Sequence, residues 1–406
     1  MELSPRERDR SLGSLVLARA CYAYNWYNVG PIQGAIAAGL AVSFGTVSLA
    51  LTLFLAGVGL FQVPAGILSL RWGARRTSLA GIALMSVAAV GSALAPTFPT
   101  FLVARFLVGV GAALFFSPAI GLVARYYRER GRGVAIGLYN GAFNLGAGLA
   151  VFLTSLVASA IGWRESLLLG GVLMGAITLE NLWVLPHLEE PRLPRAEVRS
   201  RTRGILRSRD LWALGLAFLG FWVAEFALAQ YYVPWAEGPL GLSPVVAGGM
   251  DAVLVMSSVF GGPVGGYLAE RLRRPLRVVL LSAVITAAAA AALPFAPVYA
   301  LWALAAIYGL FTGVVFAGFY LMATWLPEVS QERVPLALGL INGIQVTSGS
   351  AIVLVVGLGV FGPGEFALGF LLLALVTLLP LPFLAGVRGL SRPLKEDRAA
   401  SPGANP

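Results

Sequence analysis

Apolar residues run through this chain in long uninterrupted stretches, separated by short polar segments. The hydrocarbon core of a bilayer takes about 20 apolar residues as a helix. Twelve runs reach that length: 13–37, 45–69, 77–95, 101–124, 134–159, 164–186, 210–235, 244–268, 277–295, 299–325, 334–360 and 366–387. All twelve are expected to be helices, because lipid offers no partner to an open backbone edge. Barrel strands would show shorter, alternating segments.

Composition agrees with the pattern. Of 406 residues 58% are hydrophobic and only 12% charged, against roughly 25% charged in soluble domains. A soluble fold would lack the polar material to cover its surface. The single Cys21 rules out a disulfide framework within the chain, and the single His187 argues against a histidine-rich metal centre. Walker, GxSxG and HExxH patterns are absent, so neither a metal nor a cofactor is expected. The first thirteen residues, MELSPRERDRSLG, are polar and lead into a run of spanning length, which does not read as a cleavable signal.

Charge sets the orientation. Of the 29 Lys and Arg residues, all but Arg19, Arg105 and Arg164 fall at the two termini or in the loops after spans 2, 4, 6, 8 and 10. The opposite loops, such as APTFPT (95–100), carry no base. The positive-inside rule makes the arginine side cytoplasmic, where the bases meet anionic lipid rather than nucleic acid. Arginine richness with a single lysine suggests a GC-rich bacterial genome, hence a bacterial inner membrane. The longest polar stretch divides the chain into a tail (1–12), a six-span bundle (13–186), a linking loop (187–209), a second six-span bundle (210–387) and a second tail (388–406). The linker is expected to lie on the inner leaflet.

The halves repeat. Gly66-x-Leu68-x-x-Arg71 returns as Gly266-x-Leu268-x-x-Arg271, and Gly137-Leu-Tyr-Asn140-Gly141 as Gly339-Leu-Ile-Asn342-Gly343. Pro31 in span 1 answers Pro234 in span 7. Six spans per half give both halves the same orientation, a parallel repeat about the membrane normal. At the elbow after span 2, a glycine lets helices approach closely. Arginines there can bond carbonyls at helix C-termini or acids on a neighbouring helix, latching one face.

Twelve spans, the 6+6 repeat and the basic elbows resemble the major facilitator superfamily over essentially the whole chain. That family has roughly G-x-L-a-D-r-x-G-r-k after span 2; Gly66, Leu68, Arg71, Gly73 and Arg75 fit, while Leu70 stands at the usual Asp. The second copy keeps an acid at Glu270 beside Gly266 and Arg271 and has Arg273 at the later glycine. RFLVGVG (105–111) fits the family's R-x-x-x-G-x-G in span 4. The resemblance implies an all-α fold of twelve transmembrane helices in two pseudo-symmetric six-helix bundles, gating loops at these elbows, and a central site between spans 1, 4, 5 and 7, 8, 10, 11. GLYNGAFNLG (137–146) in span 5 is similar to nitrate/nitrite porters of the superfamily. Spans 2 and 8 hold no arginine, the residue with which those porters grip the anion, so nitrate is not adopted as substrate. The Gly-Pro dipeptide frequent in the family's antiporters is Gly141-Ala142 here, which leans away from drug/proton antiport.

Polar side chains inside spans are costly and face the bundle interior. At 100° per residue, Arg19, Tyr22, Trp26 and Gln33 share one face of span 1, with Tyr24 and Asn28 on another. Pro31 should kink that helix. Arg19 lies about 10 Å from the inner surface and suits an anionic solute; otherwise it snorkels and orients the span. Substrate contacts are expected from Arg19, Tyr22, Tyr24, Trp26, Asn28, Asn140, Asn144, Tyr232, Asn342 and Gln345. Glu225 in span 7 and Asp251 in span 8 are expected to carry a coupling proton, in a set with Arg105; otherwise they form a structural pair with Arg105 or face a water-filled outer mouth. The glycines of span 5 (Gly133, Gly137, Gly141) read as packing positions.

These residues point to a secondary transporter working by alternating access on a small organic solute, anionic in the reading that Arg19 favours and coupled to protons through Glu225. A monomer in contact with anionic lipid is expected. The rivals are a proton-coupled drug efflux pump, which the aromatic lining would suit, and a non-transporting membrane sensor. An intramembrane enzyme would need a nucleophile or metal cluster that the spans do not offer.

Overall fold

The structure, a computed structural model, describes residues 4–127, 132–187, 203–272, 275–324, 326, 329, 334–359 and 366–387. Every regular element among them is helical. Span 1 consists of α1 (Pro5–Tyr27), a 3-10 turn (Gly30–Ile32) and α2 (Gln33–Gly39). Spans 2 to 7 are α3 (Phe44–Trp72), α4 (Ala74–Ala93), α5 (Phe98–Tyr126), α6 (Arg132–Ala160), α7 (Trp163–Val184) and α8 (Arg209–Glu237). Span 8 is divided into α9 (Pro244–Met256) and α10 (Ser258–Leu272). Spans 9 to 12 contain α11 (Pro275–Ala292), α12 (Val298–Thr324), α13 (Val334–Gly359) and α14 (Phe366–Leu378). Ten helical segments among the described residues are long and apolar enough to cross a membrane. The remaining two predicted spans, 1 and 11, are represented by α1 with α2 and by α13.

The first helix starts earlier than the apolar run. Ser4 caps it: its hydroxyl accepts from the Glu7 amide at 3.3 Å, while its own amide donates to the Glu7 carboxylate at 3.0 Å. Pro5 sits in the first turn, where a missing N–H costs nothing. The predicted tail is therefore helical from Pro5 on. Tyr127, just past α5, donates to Asp9 at 2.7 Å, with Arg8 over its ring at 4.6 Å. That hydrogen bond, with the Arg8 guanidinium, holds the Asp9 carboxyl below the usual carboxylate range.

Glycine sets the helix crossings. A Cβ on Gly109 would strike the Phe54 carbonyl, and one on Gly111 would lie 2.6 Å from the Met85 amide. The two glycines of the span 4 motif thus let it press against spans 2 and 3. A Cβ on Gly309 would strike the Leu254 carbonyl in the same way, so the Gly109–Phe54 contact recurs in the second half with both residues shifted equally. Gly66 behaves differently from the expectation, since a Cβ there would meet nothing within 4 Å. Gly141 is equally open, and the close approaches in span 5 belong to Gly146, against the Ala20 backbone of span 1, and Gly148, against Met256 of span 8. The surroundings of Gly133 and Gly137 fall outside the described residues.

The first elbow is built by Gly73 and Arg75. Gly73 has φ +91°, a backbone that favours glycine. Arg75, buried, donates to the Leu185 carbonyl at 2.9 Å and the Leu182 carbonyl at 2.8 Å and meets His187 Nε2 at 3.0 Å. It thereby satisfies carbonyls that the end of α7 leaves without partners. Arg71 is exposed. Arg75→Ala is expected to cost about 1–3 kcal/mol, read as a lower thermal midpoint; an unchanged midpoint would reduce Arg75 to an orientation signal. Arg164 does the equivalent work at the opposite face, donating to the Ala93 and Ala95 carbonyls at 2.7 and 2.9 Å. Gly266, Glu270 and Arg271 lie in α10, but their side chains, like that of Leu70, are outside the described set, as are Arg273, most of the 187–209 linker and the C-terminal segment from 388.

Between the halves, span 2 packs along span 11 and span 5 along span 8, while span 7 crosses span 1 at its 3-10 turn.

Candidate functional site

The site begins with two prolines that free backbone carbonyls. Pro234 lies inside α8 and has no N–H, so the Gln230 carbonyl four residues earlier loses its helical donor. Gln33 Nε2 of span 1 supplies one instead, at 2.7 Å. Span 1 breaks before Pro31, which frees carbonyls at the end of α1. Gln230 Nε2 takes the Trp26 carbonyl at 3.2 Å, and Arg105 Nη2 takes the Asn25 carbonyl at 3.0 Å. Gly30 makes the crossing possible, because a Cβ there would lie 2.8 Å from Gln230 Cα. Ser48 and Tyr231 add a hydroxyl bond of 2.7 Å beside it. Beyond this seam, toward the arginine-poor end, lies a cavity of about 790 Å³ lined in part by Pro31, Pro234, Glu237 and Pro244.

On the other side of the seam is Arg19, only 6% exposed. Ring faces enclose its guanidinium: Tyr22 at 4.4 Å, Phe143 at 4.5 Å, Phe116 at 4.6 Å and Tyr139 at 5.4 Å. Such faces stabilise a cation, yet Nε and Nη1 have no hydrogen-bond partner. Among the described residues the one ion pair joins Arg8 to Asp9, so no carboxylate neutralises Arg19.

The acids sit apart from the arginines. Glu225, 8% exposed, accepts from the Tyr27 hydroxyl at 3.1 and 3.3 Å, a bond between span 7 and span 1. Asp251 is fully buried, and both its oxygens lack partners, as do the buried hydroxyls of Tyr232 and Tyr308. Arg105 is not the partner that the sequence suggests for either acid. It lies over the Phe54 ring at 5.0 Å and serves the broken end of α1.

The remaining expected contacts separate into two groups. Tyr24 points into its own half, bonding the Ser166 carbonyl at 3.2 Å and Thr154 at 3.3 Å, and is a packing residue. Asn342 accepts from Tyr320 at 2.9 Å. Trp26 Nε1 and the amides of Asn28 and Gln345 are buried without partners. Trp26 packs against Trp222 and Phe226 of span 7, at 6.5 and 6.1 Å between ring centres. Asn140 is exposed and Asn144 half-buried, on the side of span 5 that meets span 8 further along. Phe116, Tyr139, Phe143 and Tyr27 escape sequence reasoning, since aromatic residues in apolar runs look alike whether they face lipid or a site. Their offsets from Asn140 and Trp26 were the only signal.

Comparison with known proteins decides the family. The profile described as Major Facilitator Superfamily matches residues 15–352. The chain belongs to the major facilitator superfamily. A nitrite extrusion protein of Bacillus subtilis is 24% identical over 358 residues, 87% of this chain and 88% of its own. A probable nitrate/nitrite transporter, NarK2, of Mycobacterium tuberculosis is 26% identical, covering 92% of this chain and 95% of its own. Human monocarboxylate transporter 11 is 33% identical over 224 residues, 52% of this chain and 45% of its own. A crystal structure of a bacterial homolog to the human lysosomal transporter Spinster, inward-facing and unoccupied, superposes with a TM-score of 0.71 at 18% identity, covering 95% and 96% of the two chains. That likeness extends to the fold. As a superfamily member the chain is a multi-pass membrane protein and a secondary transporter, not an enzyme.

Proposed function

We propose that this transporter carries a small organic anion together with a proton across a bacterial inner membrane, its arginine-rich face cytoplasmic. The anion binds at Arg19, Glu225 carries the proton, and bundles 13–186 and 210–387 rock about them as a monomer. Asp251, Tyr232, Asn342 and Gln345 line the second half of the cleft, and the elbows at Gly66–Arg75 and Gly266–Arg271 gate its cytoplasmic end.

One observation carries the reading: a buried guanidinium with two donor nitrogens left without partners and, among the described residues, no acid beside it. Burying a charge is expensive unless something pairs it, and ring faces offset part of that cost. An anionic solute supplies the rest. The anion named for the nitrate and nitrite relatives supports the sign of the charge. The described hydrogen bonds between the halves lie at the arginine-poor end, while Asn140 is exposed at the other, which supports a cleft facing the cytoplasm.

Arg19→Gln is expected to weaken anion binding by about tenfold or more, the worth of a charge-assisted hydrogen bond, and to leave neutral solutes unaffected. Equal losses for both would make Arg19 an anchor for span 1.

A further inference from the structure

We infer that the anion held at Arg19 is a monocarboxylate with an apolar body, aryl or branched alkyl. The inference rests on the anion reading above and narrows it.

Charge counting limits the valence. Arg19 is the cation of the ring cage, and its neighbours are Tyr22, Phe116, Tyr139 and Phe143. A dicarboxylate neutralised at one end would leave its second charge among those rings, unpaired and out of water.

Ring electrostatics limit the shape. The face of an aromatic ring carries the negative side of its quadrupole, so it attracts the guanidinium and repels an oxyanion. Nitrate spreads three equivalent oxygens around its centre; whichever way it meets Arg19, oxygen points at ring faces. A carboxylate gathers both oxygens at one end and presents carbon at the other. Only the second distribution matches one cation set among ring faces.

The second half agrees. The Tyr320 hydroxyl of α12 is spent on Asn342, and its ring centre stands 6.3 Å from that of Phe316. Phe316 in turn packs edge-on to Phe218 at 5.0 Å. That surface offers a solute hydrocarbon rather than a second cation.

The test is calorimetric titration of the purified full-length transporter with benzoate, nitrate and succinate, each alone. Benzoate is expected to bind about tenfold more tightly than either of the others, or better, because its ring is buried with its charge. Phe116→Leu should lower the advantage of benzoate over nitrate severalfold. Nitrate or succinate binding as tightly as benzoate would overturn the monocarboxylate class and leave the anion reading standing. No binding by any of the three would overturn both. The ranking is measured on the unaltered protein, so a variant that fails to fold does not remove the test.

Discussion

Glu225→Gln is expected to abolish accumulation of the anion driven by a proton gradient, while exchange of anion for anion across the same membrane continues. The side chain is buried and receives the Tyr27 hydroxyl from the other half at 3.1 and 3.3 Å. A hydrogen bond to a charged acceptor is roughly twice as strong as one to a neutral group. The proton on Glu225 therefore changes how firmly span 7 holds span 1, and a change of that kind can bias a rocking equilibrium. Glutamine keeps the size of the side chain and an oxygen that accepts from Tyr27, but it exchanges no proton. In proteoliposomes, benzoate should equilibrate in the variant without concentrating against its gradient. Accumulation equal to that of the parent protein would remove Glu225 from the coupling role and turn attention to Asp251.

Gly109→Val is expected to leave little folded protein. Any Cβ at that position strikes the Phe54 carbonyl and stands 3.0 Å from the Val58 amide. Both obstacles are main chain of span 2, which cannot turn aside as a side chain can. Overpacking of this kind costs about 3 kcal/mol or more, and span 4 must also hold Gly111 against span 3. Gly66→Ala is the control, since that position opens onto space. The yield of monodisperse protein and the thermal midpoint should collapse for the first substitution and hold for the second. Similar behaviour of the two would show that spans 2 and 4 do not rely on this approach.

These glycines illustrate what sequence discloses and what it withholds. The family motifs took in Gly66 and Gly109 with equal clarity, but motif membership says nothing about what stands opposite. Gly109 faces backbone and Gly66 faces nothing. Apolar runs set the spans to within a few residues, because hydrocarbon thickness fixes helix length; the misjudged end was the first, where Ser4 and Glu7 cap a helix through polar residues. Arg19, Glu225 and Asp251 stood out because charge inside a span is costly. Their partners did not, since pairing depends on helix rotation and crossing distance. Arg105 was matched with an acid on charge alone, yet it serves a carbonyl exposed by the break in span 1. Tyr24 resembled its neighbours in composition but turns to Ser166.

The crossing of spans 1 and 7 has a further consequence. Gln33 and Gln230 each mend a carbonyl that a helix break or a proline has left bare. Admitting solute from the arginine-poor side requires both repairs to be undone and both oxygens handed to water. In this structure both repairs are in place, so entry from that side must first meet the cost of stripping two carbonyls of their donors.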